Sequence, residues 1–91
     1  MKREEIITQI KEIVNQYGIA RAYIFGSFAR GEKKYNDIDI LIDPPKNFRF
    51  FDLCDMAEKL EKMLKTRVDI VTRAGLGKYV RPYVEKEAVP I

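Results

Sequence analysis

The sequence contains no histidine and no tryptophan, and only one cysteine. Without histidine, Ser-His-Asp and Cys-His catalysis are excluded, and so are the usual zinc sites. One cysteine, Cys54, allows no internal disulfide. Its neighbours Leu53 and Met56 suggest a helix face and a buried structural thiol rather than a nucleophile. No apolar run approaches the ~20 residues of a membrane span. Met1-Lys2-Arg3 leads into an amphipathic pattern, not a signal-peptide core. These absences fit a reducing cytoplasm and no membrane. Chemistry must rest on carboxylates, Lys, Arg, Tyr, Ser and metal ions.

What is present is globular: 46% hydrophobic and 34% charged residues. The formal net charge is +3, from 17 basic and 14 acidic residues. So mild an excess favours anionic ligands but gives no strong nucleic-acid signal. The 91 residues suffice for one domain, 1–91, without internal repeats or linkers. A domain this size buries roughly 60–65% of the surface its unfolded chain exposes. It has no room for a large substrate lobe, so a bulky acceptor is held by a partner, a second copy or an open surface.

Lys2 to Tyr17 reads as a helix, with Ile6, Ile10, Ile13 and Tyr17 on one stripe and Gly18 as its left-handed cap. Arg21 to Phe25 is a short strand. Gly26-Ser27 follows at once, and Phe28-Ala29-Arg30 makes about one helical turn before Gly31. Asp37 to Asp43 alternates by two, with Ile38, Ile40 and Ile42 on one face and Asp37, Asp39 and Leu41 on the other. A second long helix is expected from about Phe48 to Lys65, with Asn47 as N-cap and Leu53, Met56, Ala57, Leu60 and Leu64 as its stripe. Val68 to Val71 is a third strand. Lys78 to Glu87 reads as helical, with Pro82 restarting or kinking it. Ala88 to Ile91 is a candidate terminal strand. This order predicts an α/β (α+β) domain: a small mixed sheet of three or four strands with helices packed on one face.

Asp37 and Asp39 project from one strand face, roughly 6.5–7 Å apart at Cα. Such a pair has an ordinary reading, as strand-entry and exposed polar residues. Asp69 shifts the balance, because aspartate is a poor strand former and sits in the apolar run Val68-Asp69-Ile70-Val71. Its ordinary reading is an ion pair with Arg67. If the second and third strands are neighbours, the three carboxylates converge into an oxygen-rich site suited to Mg²⁺ or Mn²⁺. Two ions ~3.5–4 Å apart clamp both oxygens of a phosphoryl displacement. Gly26-Ser27, between a strand and a helical turn, offers backbone N–H groups and a hydroxyl to phosphate; alone it is also a plain tight turn. Arg30 could reach a triphosphate or be a solvated helix-end residue. Lys33 and Lys34 read as surface, Arg73 as surface or as a contact to nucleotide or acceptor, and Tyr79 and Tyr83 as packing or partner-binding residues.

Gly26-Ser27-Phe28-Ala29-Arg30-Gly31, then Asn36-Asp37-Ile38-Asp39, then Val68-Asp69-Ile70-Val71, together resemble the minimal nucleotidyltransferases of the DNA polymerase β superfamily. The resemblance runs from about Ile6 to Val84. One departure is Asn36, where the family often has Ser or Thr; Asn makes the same local turn bond. The resemblance implies the polymerase β-like fold. It implies that Asp37, Asp39 and Asp69 are catalytic and bind two Mg²⁺ ions, and that Asp69 helps deprotonate the acceptor. It implies that Gly26 and Ser27 hold the β- and γ-phosphates of ATP. It further implies an antitoxin that transfers AMP to a tyrosine of a HEPN-type ribonuclease toxin, releasing pyrophosphate. Homo- or hetero-oligomers are both compatible with this reading. The alternatives are transfer to a small molecule or RNA end, and a non-catalytic antitoxin that acts by binding its partner.

Overall fold

Strand parity decides which face of the sheet becomes core. The computed structural model describes residues 1–91 as α1 (Arg3–Gln16), β1 (Arg21–Phe25), α2 (Gly26–Ala29), β2 (Asp37–Asp43), α3 (Phe50–Leu64), β3 (Arg67–Thr72), α4 (Arg81–Glu87) and β4 (Val89–Pro90). The strands form one mixed sheet in the order β3-β2-β1-β4. β1 runs antiparallel to β2 and β4, and β2 parallel to β3. Helix α3 is the crossover between the two parallel strands, which a short turn could not connect.

One sheet face carries Ala22, Ile24, Ile38, Ile40, Ile42, Val68 and Ile70, all buried. Against it lie Ile6, Ile10, Ile13 and Val14 of α1 and Met56, Leu60 and Leu64 of α3 in one apolar cluster. Leu60 is fully buried there. Leu60→Ala is expected to cost about 2–5 kcal/mol, lost transfer energy plus a cavity; a denaturant midpoint shift checks this.

The expected one-face packing holds for α1 and α3. Short α4 is instead tied to the other face through ion pairs from Glu85 to Arg73 and from Glu87 to Arg30. Leu41 on that second face is fully buried as well, and Val84 of α4 is buried.

The ends of the elements follow local chemistry. Gly18 adopts φ +69°, with Gly18 N–H donating to Asn15 O and Ile19 N–H to Val14 O. That double bond pattern closes α1. Pro82 sits in the first turn of α4, so the helix starts at Arg81 and not at Lys78. Asn47 does not cap α3. The helix begins two residues later than expected, and the Asp52 carboxylate accepts the Arg49 N–H at 2.8 Å. Phe48 explains the shift, since it packs against the core before the helix begins. Cys54 is exposed, not buried. It lies one residue off the stripe of Leu53, Met56 and Ala57, which turns it outward.

Candidate active site

The face opposite the core carries the acidic residues. β2 and β3 pair in a register that sets Asp39 beside Asp69 and Asp37 beside Arg67. Adjacent strands lie about 4.8 Å apart, so Asp39 and Asp69 are direct neighbours with side chains on one face. Asp37 is two residues before Asp39 on the same face. Register and parity thus put the three aspartates on one face of the sheet, with Asp39 and Asp69 as direct neighbours.

The Gly26-Ser27 turn closes over Asp39. Phe25, at the end of β1, pairs with Asp39, so the chain leaves the sheet at that carboxylate. Gly26 adopts φ +76°, a left-handed conformation that side chains resist. A Cβ built at Gly26 would lie 2.3 Å from Asp39 Oδ2. The backbone therefore approaches the carboxylate as only glycine permits. The Ser27 side chain is half-buried and faces no protein hydrogen-bond partner.

Arg3 holds the turn from behind. Its guanidinium donates to the carbonyls of Phe28 and Ala29, at 3.2 Å for the latter, and stacks over the Phe28 ring at 4.6 Å. These carbonyls end α2; that of Phe28 also accepts the Gly31 N–H at 3.1 Å, and that of Ala29 has no partner in the helix. Phe28 is buried and meets Tyr35 edge-on at 5.0 Å.

Burial raises the pKa of Asp39, and the negative charges of Asp69, Asp37 and Glu87 push it further up; Arg30 partly opposes them. Asp37 has a carboxylate oxygen, Oδ1, that is shielded from solvent and has no hydrogen bond. Arg67 Nε approaches it only to 3.5 Å. Arg67 thus pairs with Asp37, not with Asp69. A half-buried carboxylate destabilised by three others, on a face that also carries a shielded carboxylate oxygen without a hydrogen bond, offers oxygen ligands of the kind a hard divalent cation takes. The side chains are not drawn into one coordination sphere of three acids. Asp37 and Asp69 also line a cleft of about 180 Å³ with Glu61, Arg67 and Val68. Glu61 Oε2 accepts the Val68 N–H there at 3.0 Å and pins the start of β3. The larger groove between α1 and α3, about 630 Å³, is lined by Glu4, Glu5, Thr8, Gln9, Glu12 and Met63. Its glutamates would repel phosphate, and it contains none of the three aspartates.

Arg30 follows α2 and is ion-paired with Glu32 at 2.7 Å and with Glu87. Neither partner was anticipated from sequence. Glu87 is 57 residues away and carries no motif signal. Arg73 pairs with Asp43 at 3.0 Å and with Glu85, and lies over Tyr23. It fastens α4 to the sheet.

A family model described as a nucleotidyltransferase domain matches residues 6–91. The chain belongs to the nucleotidyltransferase domain family. Among the relatives of this nucleotidyltransferase is a protein of Methanocaldococcus jannaschii assigned as a protein adenylyltransferase. It is 35% identical over 100% of this chain and 99% of its own. The protein adenylyltransferase MntA of Thermococcus cleftensis is 34% identical, over 94% of this chain and 89% of its own. A solved structure assigned to a minimal nucleotidyltransferase superposes with a TM-score of 0.85 at 32% identity, covering 100% and 97% of the two chains. The fold recurs, at 19% identity and a TM-score of 0.79, in a complex of a tri-AMPylated Shewanella oneidensis HEPN toxin with its MNT antitoxin; 98% of this chain and 71% of that one are covered. The nucleotidyltransferase has no helix long and apolar enough to cross a membrane.

Proposed function

We propose that this nucleotidyltransferase is an antitoxin that transfers AMP from ATP to a tyrosine of a cognate HEPN-type ribonuclease toxin. The observation that carries the reading is the meeting of Asp39 with Asp69 beneath the Gly26 backbone. That arrangement supports a place where a triphosphate and its cations sit together. The protein adenylyltransferases among the relatives support a protein acceptor, and the HEPN–MNT complex of the same fold supports its class.

In this reading Asp37 and Asp39 would hold two Mg²⁺ ions, and Asp69 would join them in holding the catalytic one. Bound divalent cations supply charge neutralisation for the triphosphate and activation of the acceptor hydroxyl. The Gly26 and Ser27 N–H groups and the Ser27 hydroxyl orient the β- and γ-phosphates. Arg30 adds a guanidinium to that grip. The acceptor tyrosine oxygen attacks the α-phosphorus and the bond to the β-phosphate oxygen breaks. Pyrophosphate leaves, and the acceptor proton passes to Asp69. This single minimal domain, 1–91, leaves its acid face open, so the acceptor protein completes the site.

Incubation with labelled ATP, Mg²⁺ and the protein encoded by the neighbouring gene tests the reading. Label is expected on that neighbour, at a tyrosine, and lost when the tyrosine becomes phenylalanine. Labelled RNA with unlabelled neighbour, or neutralisation without label, would sink it.

A further inference from the structure

Arg30 is the cation nearest the Gly26-Ser27 turn in sequence, and it is not free. Its Nε donates to Glu32 at 2.7 Å and its Nη1 to Glu87. A guanidinium grips a phosphate by two parallel N–H bonds along one edge. One such edge uses Nε, and the other uses Nη1. Glu32 occupies the first and Glu87 the second. A phosphate can take a two-point hold only after one carboxylate lets go.

The two carboxylates differ in origin. Glu32 is two residues beyond Arg30 and half-exposed. Glu87 is less exposed and ends α4, a helix also pinned to the sheet through Glu85 and Arg73. Beyond it Ala88 N–H bonds to Val84 O, and Ile91 N–H to Ala22 O, so the C-terminal segment is laid along β1. Glu87 is also near enough to Asp39 for its charge to be felt there.

We infer that Glu87 is a latch: in the nucleotide-free protein it holds Arg30 shut, and the triphosphate must displace it to be bound. The inference rests on the proposed nucleotide site and adds the cost of opening that site. Latched protein lacks one phosphate ligand, so the apparent affinity is reduced by the fraction of Arg30 that is free. For so exposed an ion pair that reduction is about two- to fivefold. The latch also joins the site to α4, so a contact that shifts α4 would change nucleotide affinity.

Direct titration of the full chain with ATP and Mg²⁺, without any acceptor, tests it. Glu87→Gln is expected to lower Kd for ATP about two- to fivefold. The gain is expected to vanish when Arg30→Ala is also present. Glu58→Gln removes a carboxylate that pairs with Lys62 on α3 and touches neither Arg30 nor α4, and is expected to leave Kd unchanged. Glu87→Asp, a shorter arm that keeps the charge, is expected to move Kd the same way and serves should the glutamine variant fold poorly. An unchanged or raised Kd in these Glu87 variants overturns the latch. So does an equal gain with Arg30→Ala, which would be a general charge effect. Wild-type protein that binds no ATP at all overturns the proposed function, and the latch with it.

Discussion

Asp39→Asn is expected to reduce AMP transfer by on the order of 10³-fold or more while making the folded protein more stable at neutral pH. The loss follows if Asp39 holds the cations, since an amide brings no charge to them. The gain follows from the electrostatics of the face. Asp39 is half-buried and adjoins Asp69 and Asp37, and its folded pKa lies above the ordinary carboxylate value. The native state therefore binds a proton there more readily than the unfolded chain does. Stability from this group is fully present below the ordinary value and is lost as pH rises toward the raised one. Above that window the protein bears the cost of an ionised Asp39, which asparagine removes. Thermal melts at pH 7 and pH 4 check this. The variant's advantage should be larger at pH 7 and shrink in acid, where the wild-type carboxyl takes up its proton. A variant that melts lower at pH 7 would show that Asp39 is a net stabiliser.

Gly26→Ala carries the second large effect. Two costs coincide at this position. The backbone is left-handed at φ +76°, and the added carbon would sit 2.3 Å from Asp39 Oδ2. Either the carboxylate swings away or the turn lifts off the sheet. Backbone strain of this kind costs about 1–3 kcal/mol, and a shift of an ångström in a reacting group costs roughly 10²-fold in rate. Gly18→Ala separates the two causes. Gly18 has φ +69° but open space around its missing side chain. It should lose about 1–2 kcal/mol of stability and keep full transfer activity. Equal activity losses in both variants would mean that the approach to Asp39 is not what Gly26 provides. Denaturant midpoints and transfer rates on both proteins decide the matter.

The part of this structure that depends on periodicity was legible in the sequence. Alternation in Asp37–Asp43 and Arg67–Thr72 separated the isoleucine face from the aspartate face, and the parallel pairing then put Asp39 beside Asp69. Gly18 and Pro82 punctuated helices by mechanisms that need no tertiary context. Asn47 and Cys54 depart from expectation for separate reasons. Phe48 packs on the core before the helix begins and moves the cap to Arg49, whereas Cys54 stands one residue off the stripe of Leu53, Met56 and Ala57. The carboxylates on Arg30 and the guanidinium behind Phe28 were not legible. They join residues far apart in sequence through exposed side chains, which leave no trace in hydrophobic pattern.

The hold of Arg3 on the carbonyls of Phe28 and Ala29 has a practical consequence. The turn after β1 is fastened from outside its own segment, by a side chain at the start of α1, 25 residues before Phe28. Arg3→Ala would release the back of the glycine–serine loop. A protein altered in that way would keep its core and lose the rigidity of the loop beside Asp39.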